Sequence, residues 1–145
     1  MRCEEIMSKN PMTCPIEATV QEAARLMAEK DVGFLPLVDK SGIAIGTVTD
    51  RDIVIRCVAK GIDPRSAKLS HFGGNAVICC KPEDEVDEAR SLMEKHKIQR
   101  VLICDASKKP VGVISLQDLA EKEGGAGVGE TVRKVKEEGA GARVH

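Results

Sequence analysis

The sequence predicts an α/β chain made of two copies of one β-α-β-β-α unit, packed through their sheets. Three observations predict it. First, the chain matches itself at a fixed offset of 66 residues: Val20 falls on Val86, Glu22 on Glu88, Ala23 on Ala89, Leu26 on Leu92 and Met27 on Met93. Without a gap, Asp39 then falls on Asp105, Gly46 on Gly112 and Asp52 on Asp118. A chance match would drift, so one supersecondary unit is read twice, over about residues 6–61 and 72–123. Second, both copies pass through the same helical and extended periodicities in the same order. Third, a unit of roughly 55 residues buries too little apolar surface to be secure alone. Two units packed through their sheets solve that problem.

The elements of the first copy follow from local chemistry. A short extended piece runs near Pro11 to Ile16. Thr19-Val20-Gln21-Glu22 reads as a capping box, in which a Thr oxygen and a Glu carboxylate satisfy free N–H groups at a helix start. Val20, Ala23, Ala24 and Met27 follow at helical spacing, one apolar face. Gly33 to Val38 is a nearly continuous apolar run suited to a buried strand. Asp39-Lys40-Ser41-Gly42 has turn chemistry. Ile43 to Val48 is a second strand. Asp52 to Lys60 reads as a second helix, with Ile53, Val54, Cys57 and Val58 inward and Gly61 as its stop.

The second copy repeats this order. Its helices are expected at Glu85 to Lys95 and from Gln117 to about Lys122. Its strands are expected at Ile98 to Cys104 and Val111 to Ser115, joined by a turn from Asp105 to Pro110. Residues 62–71 read as a linker and 124–145 as a C-terminal tail. Glu123 to Gly129 is a glycine-rich joint. Beyond it, Glu130 to Glu138 reads either as a short helix with Val128, Val132 and Val135 on one side, or as a loosely ordered tail.

Composition narrows the function. Apolar residues are 42% and charged residues 31%, a globular balance that argues against wholesale disorder. With two Phe and no Trp or Tyr, the core must come from Val, Ile, Leu, Ala and Met. The net charge of −1 gives no basic footprint for nucleic acid, and stacking platforms are missing too. No apolar run reaches membrane-spanning length. Met1 to Glu5 has no apolar secretory segment behind it, so a cytoplasmic location is expected. Six cysteines are many for this length, but none has C-x-x-C spacing. Cys14, Cys57 and Cys104 read as small buried hydrophobes, with Cys79-Cys80 and His71 as a weaker metal or redox alternative. His71, His96 and His145 fall in no nucleophile–base spacing, and no P-loop is present, so catalysis is not expected.

One motif occurs at the same place in both copies, where a strand ends and a helix begins. Gly46-Thr47-Val48-Thr49-Asp50-Arg51-Asp52 and Gly112-Val113-Ile114-Ser115-Leu116-Gln117-Asp118 both read G-x-x-[ST]-x-x-D. Gly lets a ligand or another backbone approach the strand. The Thr49 or Ser115 hydroxyl, with free N–H groups of the helix start, suits a phosphate. Asp52 or Asp118 suits the two hydroxyls of a ribose. The same pattern is also a plain helix cap with an acidic first turn. Capping and binding are compatible.

These stretches, with Val20-x-Glu22-Ala23 and Phe34-Leu35-Pro36-Leu37-Val38-Asp39, resemble cystathionine-β-synthase-type (CBS) repeats, and the pair resembles a Bateman module. Thr49 to Ile53 and Gly61-Ile62-Asp63-Pro64 further resemble small stand-alone bacterial CBS-pair proteins. The resemblance implies a pseudo-two-fold pair with two clefts between the repeats. It implies an adenine nucleotide ligand (AMP, ADP or ATP), with S-adenosylmethionine or NAD less favoured, and a disc-like homodimer. Carried over, Asp52 and Asp118 hold ribose, and Thr49 and Ser115 meet phosphate. Arg51 and Arg100 are candidate phosphate cations. Thr13, Pro15, Val32, Phe34 and Pro36 would form the base pocket of the first cleft. Cys79, Ile98 and Leu102 correspond in the second.

The second copy departs from the first. Leu102 replaces Pro36, Arg100 replaces Phe34, Gly73-Gly74 replaces Met7-Ser8, and Gln117 stands opposite Arg51. The second cleft is therefore expected to be weaker or differently tuned. Two function classes remain: a nucleotide-sensing regulatory module acting on an unknown downstream protein, or a structural, partner-binding, metal- or redox-responsive pair with degenerate clefts.

Overall fold

The computed structural model describes residues 1–72, 77–122 and 129–135. In chain order the elements are α1 (Cys3–Ile6), β1 (Ser8–Lys9), β2 (Cys14–Pro15), α2 (Val20–Lys30), β3 (Phe34–Val38), β4 (Ala44–Thr49), α3 (Asp50–Ile53), β5 (Cys79–Cys80), α4 (Val86–His96), β6 (Arg100–Cys104), β7 (Pro110–Ser115) and α5 (Leu116–Lys122). Residues 129–135 form α6. The β-α-β-β-α order stands in both copies, in a mixed α/β fold with two sheets. The chain divides into two compact units. One holds Pro11–Val77 and Ser107–Pro110; the other holds Met1–Asn10, Ile78–Ala106 and Val111–His145.

In the first-copy unit, β3 lies between β2, its parallel neighbour, and β4, its antiparallel one. The Thr19 hydroxyl accepts from the Glu22 N–H at 3.1 Å, and the Glu22 carboxylate accepts from the Thr19 N–H at 3.3 Å. Val20, Ala23 and Met27 are buried on α2 and pack with Cys14, Leu35, Leu37, Val48, Cys57 and Leu69. The Asp39 carboxylate accepts from Ser41 N–H at 2.8 Å and Ile43 N–H at 3.1 Å, and Gly42 takes the left-handed conformation that this turn requires (φ 84°). The stretch 62–71 is tied to this unit: Val20 N–H donates to Ala67 C=O at 2.9 Å, and Leu69 is fully buried.

The helix after β4 differs from expectation. After one α-helical turn, α3 continues as a π-helical turn over Val54–Val58, with Ala59 N–H bonded to Val54 C=O at 2.8 Å. Five-residue spacing rotates later positions away from the face that a regular helix would bury. Cys57 is buried, but Val54 and Val58 are 57% and 61% exposed instead of inward. Gly61 ends the segment at φ 70°.

In the second-copy unit the sheet order is β1-β7-β6-β5. β1, from the start of the chain, pairs antiparallel with β7. Cys3 and Ile6 of α1 enter a core with Val86, Ala89, Met93, Val101, Ile103, Ile114 and Leu119. A Cβ at Gly112 would meet the Met7 side chain, which would have to shift to make room. So this motif glycine admits a side chain of the same chain. Val135 of α6 is fully buried in the same core, Val132 packs against it, and Thr131 donates to a Glu94 carboxylate oxygen at 2.8 Å. Gly73-Gly74, the joint at 123–128, Val128 and residues 136–138 lie outside the described residues.

Candidate functional site

The doubled strand-to-helix turn has the same geometry in each unit. At the end of β4, the Thr49 hydroxyl accepts from Asp52 N–H at 3.1 Å, and Asp52 Oδ2 accepts from Thr49 N–H at 2.9 Å. At the end of β7, the Ser115 hydroxyl accepts from Asp118 N–H at 3.1 Å, and Asp118 Oδ2 accepts from Ser115 N–H at 2.9 Å. Both pairs are capping boxes, so the residues serve the fold as written. Ligand chemistry remains in each. A capping hydroxyl still has its proton to donate. Oδ1 of each aspartate has no partner among the described residues. All four side chains are half-buried, within reach of a ligand and partly shielded from water.

Register places the other first-copy residues. Phe34 pairs with Thr49, Leu35 with Val48, and Pro36 with Thr47. Leu35, Leu37 and Val48 face the core, so alternation puts Phe34, Pro36, Thr47 and Thr49 on the opposite face. Cys14 is in the core and pairs with Leu37, so neighbouring Pro15, paired with Val38, shares that opposite face. Thr13, one residue before β2, follows the same alternation. Pro36 is buried, Thr13 and Phe34 are half-buried, and Pro15, Val32 and Arg51 are exposed. Thr47 was not singled out from the sequence. Period-two spacing from Thr49 was the available signal.

In the second-copy unit, Cys79 pairs with Leu102 and Cys80 with Ile103. Cys80, Val101, Ile103 and Ile114 face the core, so Cys79, Arg100, Leu102 and Ser115 share the opposite face. Leu102 is only 1% exposed. Arg100 is half-buried. Ile98 packs against the core, whereas its counterpart Val32 is 38% exposed. Gln117 donates to Glu121 at 2.9 Å, one turn along α5. Among the described residues, no three His, Cys, Asp or Glu side chains are grouped to hold a metal, and no helix is long and apolar enough to cross a membrane.

Comparison with known proteins identifies the family. The CBS domain family matches residues 3–58 and again 74–125. The chain is 34% identical over 117 residues to the CBS domain-containing protein YhcV of Bacillus subtilis, covering 81% of each. The CBS domain protein PAE2072 from Pyrobaculum aerophilum, solved in complex with AMP, is 28% identical with a TM-score of 0.75. That match covers 82% of this chain and 90% of the other. The CBS domain pair of protein MJ0100, solved with 5'-methylthioadenosine and S-adenosyl-L-methionine, is 25% identical with a TM-score of 0.75, covering 86% and 96%. The chain belongs to the CBS domain family and carries two CBS domains in tandem.

Proposed function

We propose that this CBS pair is a regulatory module that senses an adenine nucleotide at its two strand-to-helix turns and catalyses no reaction itself. The observation that carries the reading is the doubled hydroxyl–carboxylate pair, held in the same capping geometry at Thr49/Asp52 and Ser115/Asp118. In it, Asp52 and Asp118 accept from ribose hydroxyls through Oδ1, and Thr49 and Ser115 donate to phosphate. Arg51 and Arg100 add cationic charge near the phosphates. Thr13, Pro15, Val32, Phe34 and Pro36 in the first copy, and Cys79, Ile98 and Leu102 in the second, contact the base. AMP, ADP and ATP are the favoured ligands. S-adenosylmethionine and NAD rank behind them. The adenine ligands of the two solved relatives support the class. A homodimer in the cytoplasm, acting on a separate protein target, completes the reading. Ligand binding acts by favouring one conformation over another.

A second reading is that the second-copy site is degenerate. The 1% exposure of Leu102, the inward packing of Ile98 and the Gln117 in place of Arg51 favour it. A thermal-shift series with AMP, ADP, ATP, S-adenosylmethionine and NAD tests the sensor reading. Ligand at about 100 times its dissociation constant adds roughly 2.7 kcal/mol. That corresponds to a rise of several degrees for a domain of this size. A rise with an adenine nucleotide is expected. No rise with any ligand, in folded and ligand-free protein, would refute the sensor reading.

A further inference from the structure

Four of the six cysteines lie in the second-copy unit, as two thiol pairs on opposite faces of its sheet. On the core face, Cys80 of β5 and Cys3 of α1 lie in one buried cluster and are 5% and 0% exposed. On the other face, Cys79 of β5 and Cys104 of β6 are neighbours on adjacent strands, since Cys79 pairs with Leu102, two residues before Cys104. Cys104 is 3% exposed, but Cys79 is exposed and opens on a recess of about 380 Å³ lined also by Asp84, Asp87, Glu88 and Lys95. At the same offset the first copy has Thr13 and Val38, so both members of this pair are cysteine only in the second copy.

We infer that Cys79 and Cys104 form an oxidisable dithiol, with Cys79 as the site attacked by a neutral hydroperoxide and Cys104 as the resolving thiol. The Cys79 sulfur attacks one oxygen of hydrogen peroxide. The S–O bond forms, the O–O bond breaks, and water leaves, giving a sulfenic acid. The Cys104 sulfur then attacks the Cys79 sulfur. The S–S bond forms, the S–O bond breaks, and the departing hydroxide takes the Cys104 proton as a second water. The two thiols lose two electrons and the peroxide gains them.

The roles follow from the surroundings. The thiolate is the nucleophile. Burial, together with the neighbouring Cys79, pushes the Cys104 thiol up to about 12, which argues against Cys104 as the first nucleophile. The carboxylates of Asp84, Asp87 and Glu88 repel anionic oxidants, leaving an uncharged peroxide as the favoured class. Disulfide formation needs close approach of the two backbones. β5 is a two-residue strand at the end of the sheet order, so little pairing opposes that shift. Cys80 also lines the recess but is 5% exposed, and Cys3 is fully buried, so that pair is the more shielded of the two.

The oxidation rests on this dithiol alone. Its effect on a ligand rests on the nucleotide reading, in which Cys79 contacts the base. The test treats the full chain with hydrogen peroxide, blocks remaining thiols by alkylation and maps linked peptides by mass spectrometry. An intramolecular Cys79–Cys104 link is expected, lost in Cys79→Thr and in Cys104→Val, which restore the first-copy residues. If Cys104→Val does not fold, the peptide map of the wild-type chain carries the test. No such link in the folded wild-type chain, or a link of Cys79 to Cys80 or Cys3 in its place, overturns the inference. A parallel AMP thermal shift on reduced protein judges the nucleotide reading separately, since its failure leaves the peptide map unchanged.

Discussion

The two copies share one turn but finish their cores differently. In the second-copy unit, both chain ends are enlisted: Ile6 of α1 is 2% exposed and Val135 of α6 is fully buried. The first-copy unit has no such cover among the described residues, and Val54, Val58 and Ile62 stand 57%, 61% and 40% exposed. Yet the Thr49/Asp52 and Ser115/Asp118 boxes agree to 0.1 Å in both bonds. The comparison teaches that the turn is set by four local residues, independently of what completes each core. Differences between the two sites must then come from their walls: exposed Val32 and Arg51 in the first, buried Leu102 and inward Ile98 in the second.

The largest effect separates the cores. Ile6→Ala should cost about 2–5 kcal/mol, the usual cost of a large-to-small change in a packed core. Val58→Ala, at an exposed position, should stay within about 0.5 kcal/mol. Denaturant unfolding reads both, and equal costs would break the contrast. Next comes ligand affinity. Hydrogen bonds to charged groups contribute about 1.5–3 kcal/mol. Asp52→Asn keeps a cap acceptor but loses the charge, so it should weaken AMP binding by roughly tenfold or more by that measure. Asp118→Asn should weaken it less if the second site is the poorer one. Titration of each single variant gives the ranking.

Smaller effects test the turn itself. Thr49→Ala and Ser115→Ala should each cost about 1 kcal/mol, and by similar amounts, because both remove the same cap. Unequal melting shifts would show that the surroundings enter after all. The smallest is Thr131→Val. Losing its bond to Glu94 should cost about 1 kcal/mol or less and loosen α6, read by hydrogen exchange at residues 129–135.

Much of this was legible in the sequence. The fixed offset, the Thr19–Glu22 box and the doubled turn carried the element order and the site motif. Other features were hidden for physical reasons. Both α2 and α4 end on a left-handed residue, Asp31 (φ 53°) and Lys97 (φ 56°), where neither Gly nor Asn gives notice. The bonds from Val32 to Met27 and from Ile98 to Met93, at 3.0 and 3.1 Å, hold those ends in place. The π-helical turn left no sequence signature, so a regular 3.6-residue wheel put Val54 and Val58 on the wrong side. The sequence reading begins the first copy at about residue 6, but Ser8 and Lys9 pair with β7, more than a hundred residues away in sequence, and residues 1–10 group with the second-copy unit. Periodicity reports which face is apolar, and the partner of that face is a long-range matter.

The central claim is that the two aspartates at these turns hold an adenine nucleotide. Calorimetric titration of AMP and ATP into the wild-type chain and the Asp52→Asn/Asp118→Asn double variant tests it most directly, with both proteins shown to melt alike. The account predicts saturable binding by the wild type and a loss of affinity of roughly tenfold or more in the double variant, the scale of a hydrogen bond to a charged group. Equal affinity in the two proteins, or no binding to either, would contradict it.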